Sequence, residues 1–301
     1  MTVSASRRDA VHDSLSDRYA VLGNPVAHSQ SPFIHAEFAR QTGEPIEYGR
    51  IECPLDGFQA SVQAFIASAD AAAGRGPARG CNITVPFKFL AIPLARRVSE
   101  RAALAQAANV LRFDDDGWFA DNTDGIGLVR DVQQGAGVAL AGLRVLLVGA
   151  GGAASGVLGP LIAAAPRAIT VANRTPARAV ELARRHQPLA DQHGVTLRAT
   201  GLDDCGETYD VLLNSSASSL GGAAVPVSPR TLAPDALALD MMYGPAAAPF
   251  LAWADAHGAR GRDGLGMLVE QAAEAFFVWR GVRPDAAAAL AALRARLAGP
   301  R

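Results

Sequence analysis

Two short segments concentrate residue types that could act on a small molecule. Asn82, Thr84 and Lys88 lie near the end of a predicted strand, and 121–125 (DNTDG) holds two acids, an amide and a hydroxyl. A lone lysine is usually a solvated surface charge, and one acid before a helix can be a cap. Capping does not explain two acids, an amide and a hydroxyl in four residues. A lysine beside a ketone oxygen can stabilise the charge that a hydride creates there and supply a proton.

Two serine hydroxyls come just before another predicted helix. A strand at 19–22 runs into the turn 23–25 and then into Ser29, Ser31 and Pro32. Pro32 suits the first position of a helix. One serine could simply cap that helix, whereas two serines at the tip of a strand also suit a polyhydroxylated ligand.

A glycine-rich turn follows the apolar run 145–148. The order is a strand, a G-x-G-x-x-A turn and a helix, with Gly149, Gly151 and Gly152 in the turn. Gly149 allows a tight turn, Gly151 lets a pyrophosphate approach the backbone, and the helix N-terminus offers free N–H groups. This context predicts a dinucleotide site. The alternative is an ordinary turn between a strand and a helix.

The end of the next strand, at 168–172, indicates which dinucleotide binds. NAD-binding units usually carry an acid about 20 residues beyond the glycines. Here Asn173 and Arg174 occupy that place, and Arg178 follows one helical turn later. Because a guanidinium pairs well with a phosphate, the pattern favours NADP over NAD. The alternative is that both arginines belong to a solvated helix start.

Strands and helices alternate along the chain in the pattern of an α/β protein. Further strands are expected at 47–51, 109–113, 118–120, 211–213 and 236–240. Helices are expected from Leu55 to Ile66 and at 91–107, 126–132, 154–165, 249–257, 267–279 and 286–297. The segment 70–80 is expected to be a loop and 262–266 a turn. Phe58 and Phe65 are assigned to the core.

The predicted organisation has two α/β domains. A polar, disordered lead-in at 1–16 precedes a substrate-binding domain at 17–124 and a nucleotide-binding domain at 125–260. A C-terminal helical segment at 261–301 is expected to pack back on the first domain.

Composition narrows the class of protein. The net charge of −1 over 301 residues predicts no general attraction to nucleic acid or to an anionic membrane. No apolar run reaches membrane-spanning length, and the N-terminus lacks a secretory signal.

The cysteines Cys53, Cys81 and Cys205 are odd in number and scattered, which favours a reducing, cytoplasmic setting. The histidines show no metal-ligand spacing with them, so no metal site is expected. Both a monomer and a homodimer are compatible with the sequence.

Six motifs resemble, in order, those of the shikimate dehydrogenase family of aromatic amino-acid biosynthesis. They are GNPVAHSQSP at 23–32, NITVPFK at 82–88, DNTDG at 121–125, GAGG at 149–152, NRT at 173–175 and GLGMLVEQ at 264–271. The combination of NxTVPxK with DNTDG is highly specific. The resemblance spans residues 19–283.

The resemblance implies a substrate domain, a Rossmann-type NADP-binding domain, and reversible reduction of 3-dehydroshikimate to shikimate with NADPH. Lys88 and Asp124 correspond to the catalytic pair. The residues that correspond to substrate ligands are Ser29, Ser31, Thr84, Lys88, Asn109, Asp124, Tyr243 and Gln271. The residues that correspond to the NADP site are Gly149, Ala150, Gly151, Gly152, Ala153, Asn173, Arg174, Thr175, Arg178, Met241 and Gly264. Of these, Met241 and Gly264 would flank the nicotinamide.

The chain departs from the usual family pattern at several positions. Gln106 and Val110 stand where glycine and threonine are usual, Ala248 stands where threonine is common, and 214–219 differs from NATSSG. These departures bear on affinity and substrate breadth more than on the reaction. The alternative activity is a quinate/shikimate or aminoshikimate dehydrogenase. The alternative class is a non-catalytic, NADP-binding regulatory protein on the same fold.

Overall fold

A computed structural model describes residues 15–206, 208–216 and 227–299 of the chain. The predicted lead-in therefore lies outside the described residues, apart from positions 15 and 16. Positions 217–219 of the polar run after 213 also lie outside them. No helix in the described ranges is long and apolar enough to cross a bilayer.

The first sheet is mixed and lies in the N-terminal part of the chain. Its strands are β1 (Asp17–Gly23), β2 (Ile46–Glu52), β3 (Ala78–Ile83), β4 (Arg97–Val98), β5 (Val110–Arg112) and β6 (Phe119–Asp121). The helices of this part are α1 (Ser31–Thr42), α2 (Phe58–Ala67) and α3 (Glu100–Ala105). The strand order is β2-β1-β3-β5-β6-β4. β1 runs parallel to β2 and β3, while β5 is antiparallel to β3 and β6. The parallel arrangement brings the ends of β1 and β3 to one edge of the sheet.

The second sheet has six parallel strands. They are β7 (Arg144–Val148), β8 (Ala168–Ala172), β9 (Thr196–Thr200), β10 (Tyr209–Asn214), β11 (Leu232–Asp240) and β12 (Arg260–Arg262). The helices that accompany them are α4 (Asp124–Arg130), α5 (Gly152–Ala163), α6 (Pro176–Gln192) and α7 (Ala248–Ala256). The strand order is β12-β11-β10-β7-β8-β9. Taken from β7 in chain order, this is the 3-2-1-4-5-6 order of a Rossmann sheet, as predicted. The crevice of such a sheet lies beyond the carboxyl ends of β7 and β10, where the order reverses.

Alternate side chains of β7 face opposite cores, as the period of a strand requires. Val145 and Leu147 join a cluster with α4, α5 and α6, whereas Leu146 and Val148 join a cluster with α7. All four side chains are buried. The apolar run before the glycine turn is therefore the centre of the second sheet.

The last two helices, α8 (Leu265–Arg280) and α9 (Ala286–Ala298), pack against the N-terminal part, as predicted. Ile34 and Phe38 of α1 share a buried cluster with Phe276 of α8. At the end of α8, the Trp279 indole N–H donates to the Leu111 carbonyl oxygen at 3.0 Å. The limits of the predicted domains at 124, 125, 260 and 261 stay predictions.

Several expected elements have different bounds. The helix predicted at 91–107 is wrong, because the chain there forms a 3₁₀ turn at Ile92–Leu94, then β4, which pairs with β6, and then the short helix α3. Ser99 starts α3, since its hydroxyl accepts from the Ala102 N–H at 3.2 Å. Leu55 precedes α2 and is 70% exposed, so it is not part of that helix. β3 already begins at Ala78, inside the expected loop 70–80.

The turn expected at 262–266 is also shorter, because β12 ends at Arg262 and α8 begins at Leu265. By contrast, Phe58 and Phe65 are buried as expected.

Gln106 occupies a conformation that favours glycine. Its φ of 52° places it in the left-handed region, directly after α3. The side chain accepts a hydrogen bond from Arg185 of α6 at 2.6 Å. The departure from the family pattern at this position therefore adds backbone strain and also a contact between the two parts of the molecule.

A buried ion pair connects the segment after α4 to the end of β12. The Asp131 side chain is 1% exposed and pairs with Arg262. We predict that Arg262→Gln lowers the free energy of unfolding by about 3 kcal/mol, because it leaves a buried carboxylate without its cation. Denaturant unfolding measures the change. Arg184→Gln, which breaks the exposed Arg184–Glu181 pair, is the matched control and should leave the free energy of unfolding unchanged. Equal changes in the free energy of unfolding for the two variants would contradict the assignment of Asp131–Arg262 as a buried, stabilising ion pair.

Candidate active site

Lys88 and Asp124 meet in an ion pair next to the end of the first sheet. Lys88 lies in a short 3₁₀ turn, Phe87–Phe89, that follows β3, and Asp124 is the first residue of α4. The Lys88 Nζ donates to the Asp124 Oδ2. The two side chains are 15% and 7% exposed. The Ala108 N–H donates to the Lys88 carbonyl oxygen at 2.9 Å, which fixes the backbone of the turn.

Lys88 is the only lysine in the sequence; the other 27 of the 28 basic residues are arginines. Every other basic side chain of the sequence is a guanidinium, and Lys88 alone carries an ammonium group. Lysine can give up a proton in a suitable environment, whereas arginine stays charged. The single lysine is a compositional signal of a special role for Lys88, independent of the motif that contains it.

The amide of Asn109 orients the Asp124 carboxylate. Its Nδ2 lies 2.8 Å from Asp124 Oδ1, 3.0 Å from Thr123 Oγ1 and 3.1 Å from Gln271 Oε1. Its Oδ1 accepts from the Thr123 N–H at 2.8 Å. Asp124 therefore offers one oxygen to Asn109 and the other to Lys88. The structure thus brings Gln271 of α8 to the pair, although 147 positions separate it from Asp124.

Ser29, Ser31 and Tyr243 lie together at another point of the site. The Ser29 hydroxyl donates to Ser31 Oγ at 3.1 Å. Tyr243, which follows β11, lies beside the backbone of Gln30. Burial raises the pKa of the Tyr243 hydroxyl, so it remains a neutral donor. Neither serine occupies the N-cap of α1, where Gln30 stands without a side-chain cap bond. Ser29 Oγ does accept weakly from the Ser31 N–H at 3.3 Å.

Thr84 lies just beyond β3, where its backbone N–H donates to the Leu22 carbonyl oxygen at 2.9 Å. A Cβ at Gly23 would collide with the Thr84 methyl group, so only glycine allows this close approach of the two strand ends. The half-buried Thr84 is thereby held at the same sheet edge as Lys88.

Tyr48 and Asn82 add a second polar layer that the prediction of site residues omitted. The Tyr48 hydroxyl donates to Asn82 Oδ1 at 2.6 Å, and Asn82 Nδ2 donates to the Asn109 carbonyl oxygen at 3.1 Å. Burial raises the pKa of Tyr48 well above its usual value. The Tyr48 ring stacks on His35 at 4.1 Å, and burial lowers the pKa of His35 to about 3. Asn82 stood out on the polar face of its strand, whereas nothing in the sequence signalled Tyr48.

The glycine turn has the geometry that a dinucleotide needs. Gly149 has a φ of +112°, and a Cβ there would collide with Ser215, which follows β10. Gly151 precedes α5 and is exposed. A Cβ added to it would have no neighbouring atom within 4 Å. The first turn of α5 contains no acid. Ala150 and Ala153 are half-buried and place no bulky or charged group at the turn. A phosphate therefore has open access to the backbone N–H groups.

The close packing of α5 involves glycines beyond the motif. Gly125 of α4 faces Gly156 and Pro160 of α5, where a Cβ would lie 2.6 Å from the Gly156 carbonyl oxygen. A Cβ at Gly156 would lie 2.7 Å from the Asn122 amide. Asp124 and the helix after the glycine turn are therefore joined through directly packed backbones.

The polar segment after β8 is exposed at three of its four predicted cofactor residues. Arg174, Thr175 and Arg178 are exposed, and Asn173 is half-buried with its Nδ2 donating to the Thr175 carbonyl oxygen at 2.9 Å. Neither arginine forms an ion pair within the described part of the chain. Two exposed guanidinium groups without acids beside a Rossmann crevice suit a phosphate ester.

Met241 and Gly264 are neighbours in the structure. The Gly264 N–H donates to the Met242 carbonyl oxygen at 2.8 Å, and a Cβ at Gly264 would lie 2.6 Å from the Met241 carbonyl carbon. The Met241 N–H donates to the Asn214 carbonyl oxygen at 2.9 Å. Both residues thus lie beyond the carboxyl ends of β10 and β11.

No group of three histidine, cysteine or acidic residues within 15–206, 208–216 and 227–299 is arranged to hold a metal ion. The cation present beside Asp124 is the Lys88 ammonium.

Three family models match the chain. Residues 21–111 match the shikimate dehydrogenase substrate binding domain, 131–221 match shikimate/quinate 5-dehydrogenase, and 264–294 match the shikimate 5'-dehydrogenase C-terminal domain. Together they include the ends of β1 and β3, the glycine turn and the start of α8.

Whole-chain comparisons agree with the family models. A shikimate dehydrogenase (NADP(+)) from Methylibium petroleiphilum is 64% identical, over 97% of this chain and 99% of that one. The structure of an Ael1 enzyme from Pseudomonas putida is 44% identical with a TM-score of 0.81, covering 92% and 98%. A shikimate 5-dehydrogenase from Thermus thermophilus, in complex with NADP(H) and shikimate, is 30% identical with a TM-score of 0.78, covering 93% and 99%. With these matches across nearly its whole length, the chain belongs to the shikimate dehydrogenase family.

Proposed function

We propose that this chain is an NADP-dependent shikimate dehydrogenase that reversibly reduces 3-dehydroshikimate to shikimate. The observation that carries the proposal is the Lys88–Asp124 pair, held by Asn109 and joined to the glycine turn through α4 and α5. The Phe89 ring, next to Lys88 in sequence, lies 3.6 Å from the position of a Cβ on Gly152. The proposed catalytic and cofactor sites are therefore neighbours.

Lys88 is the proposed acid of the reduction. NADPH supplies the hydride when it is bound. Negative charge develops on the ketone oxygen as the carbon is reduced, and the Lys88 ammonium can stabilise that charge and donate a proton to the oxygen. Asp124 orients the ammonium, and Asn109 in turn orients Asp124. In the oxidation of shikimate the same nitrogen takes the hydroxyl proton.

The remaining polar groups are proposed to position the substrate. Ser29, Ser31 and Tyr243 supply hydroxyls at one point of the site, while Thr84 and Gln271 supply a hydroxyl and an amide near the pair. Several hydroxyl and amide groups in one region suit a ring with several hydroxyl groups. Lys88, Asn109 and Asp124 complete the proposed substrate contacts.

The cofactor is proposed to lie across the glycine turn. Gly149, Ala150, Gly151, Gly152 and Ala153 would hold the pyrophosphate, with Met241 and Gly264 at the nicotinamide. The segment Asn173–Thr175 and Arg178 would hold the 2′-phosphate that distinguishes NADP from NAD. We also propose a cytoplasmic location, in keeping with the free, buried thiols of Cys53, Cys81 and Cys205.

A four-way assay tests the function. Absorbance of the reduced nicotinamide is followed with shikimate or quinate, each with NADP or NAD. We expect the highest kcat/KM for shikimate with NADP. Preference for quinate with NAD would replace the proposed activity by the related quinate activity. No turnover with any combination, together with tight NADPH binding, would support the regulatory alternative.

Replacing the lysine tests its role in the chemistry. We predict that Lys88→Ala lowers kcat by about 10³-fold, because proton donation and charge stabilisation are both lost. The Kd for NADPH, measured by fluorescence titration, should stay within about twofold. Lys88→Arg keeps the charge but not a transferable proton, and should still lose about 10²-fold. Unchanged turnover in Lys88→Ala would remove Lys88 from the mechanism.

Replacing Arg174 tests cofactor selection. We predict that Arg174→Ala raises the Kd for NADP at least about tenfold, because a charge-assisted contact to the 2′-phosphate is lost. The Kd for NAD, which lacks that phosphate, should change less than about twofold. Arg184→Ala removes an exposed arginine of α6 that pairs with Glu181, and serves as the control with no effect on either cofactor. Equal losses for NADP and NAD would contradict the assignment.

A further inference from the structure

Arg50 of β2 contacts the backbone at Ser29. Its Nε and Nη2 donate to the Ser29 carbonyl oxygen at 3.0 Å and 2.6 Å. This double contact holds the guanidinium beside the two serine hydroxyls. Within the ranges that the structure describes, no acid pairs with Arg50 and its Nη1 makes no hydrogen bond.

Arg50 lies close enough to Tyr243 and Tyr48 for its positive charge to affect both hydroxyl groups. Burial is the main influence on Tyr243 and Tyr48 and raises the pKa of both; the charge of Arg50 opposes that rise in each case. Tyr243 lies beside the backbone of Gln30, and Tyr48 lies beside the side chain of Ser31. Arg50 is thus a cation beside the neutral hydroxyl groups around Ser29 and Ser31.

The electrostatic character of the site differs between this group and the proposed catalytic pair. At Lys88 the cation is neutralised by Asp124. At Arg50 the positive charge has no such partner among the described residues. A ligand with one carboxylate and several hydroxyls therefore gains most by placing the carboxylate toward Arg50 and a reacting hydroxyl toward Lys88.

We infer that Arg50 is a specificity-determining residue that selects substrates carrying a carboxylate at the Ser29, Ser31 and Tyr243 end of the site. This inference rests on the proposed function, since shikimate carries such a carboxylate. The hydroxyls donate hydrogen bonds, and Arg50 supplies the charge that distinguishes an acid from a neutral ester. Arg50 takes no part in the transfer of hydride or proton.

The test compares shikimate with its methyl ester. KM is measured for shikimate, and the ester is measured as a substrate and as a competitive inhibitor, in the wild-type protein, Arg50→Gln and Arg50→Lys. We expect Arg50→Gln to raise KM for shikimate about fivefold, to change kcat less than twofold, and to leave ester affinity within about twofold. Arg50→Lys should keep most of the preference for the acid. Rising salt should weaken shikimate binding to the wild-type protein more than to Arg50→Gln.

Arg40→Gln is the matched control. Arg40 is exposed in the last turn of α1, about 14 Å along the helix from Ser31, and pairs with Glu37. Arg40→Gln removes one positive charge, as Arg50→Gln does. The ratio of affinity for shikimate to affinity for its methyl ester should stay as in the wild-type protein.

Two outcomes would overturn the inference while the proposed function stands. In the first, Arg50→Gln weakens acid and ester equally, which assigns Arg50 only to holding the Ser29 backbone. In the second, Arg50→Gln binds both ligands as the wild-type protein does. Absence of NADP-linked shikimate turnover in the wild-type protein would instead overturn the proposed function.

Discussion

The Lys88–Asp124 ion pair, largely removed from water, is the interaction on which the rest of the site depends. Charged groups in such surroundings need partners, and a partner lost is costly. Asn109 meets that need for the carboxylate and is itself held by Thr123 and Gln271. The cluster draws on the turn after β3, the approach to β5, the start of α4 and the middle of α8. Correct packing of α8 on the N-terminal part is therefore a condition for the pair.

Features that depend on neighbouring residues could be predicted from the sequence. The glycine turn after β7 has local causes, namely a buried apolar strand, a positive φ at Gly149 and an open helix start at Gly151. The distance of Arg174 and Arg178 from that turn likewise predicts their place at the end of β8.

Features that depend on distant partners could not be predicted in the same way. The alanine-rich stretch 91–107 has the composition of a helix, yet Arg97 and Val98 form a strand because β6 lies beside them. Tyr48 reaches the site only through Asn82, 34 positions away, and Gln271 meets Asn109 only when α8 folds back. The position of Gln271 was found through the resemblance to a family, since local pattern alone assigns it to a helix interior.

Chemical modification of the single lysine tests the central claim most directly, that the Lys88 ammonium acts on the reacting oxygen. The protein is treated with an amine-selective acylating reagent, and modification is followed by mass spectrometry beside turnover. We expect the loss of turnover to follow acylation of Lys88 one to one, and saturating shikimate with NADP to slow both, while acylation of the α-amino group has no effect. Complete acylation of Lys88 with turnover unchanged would contradict the account.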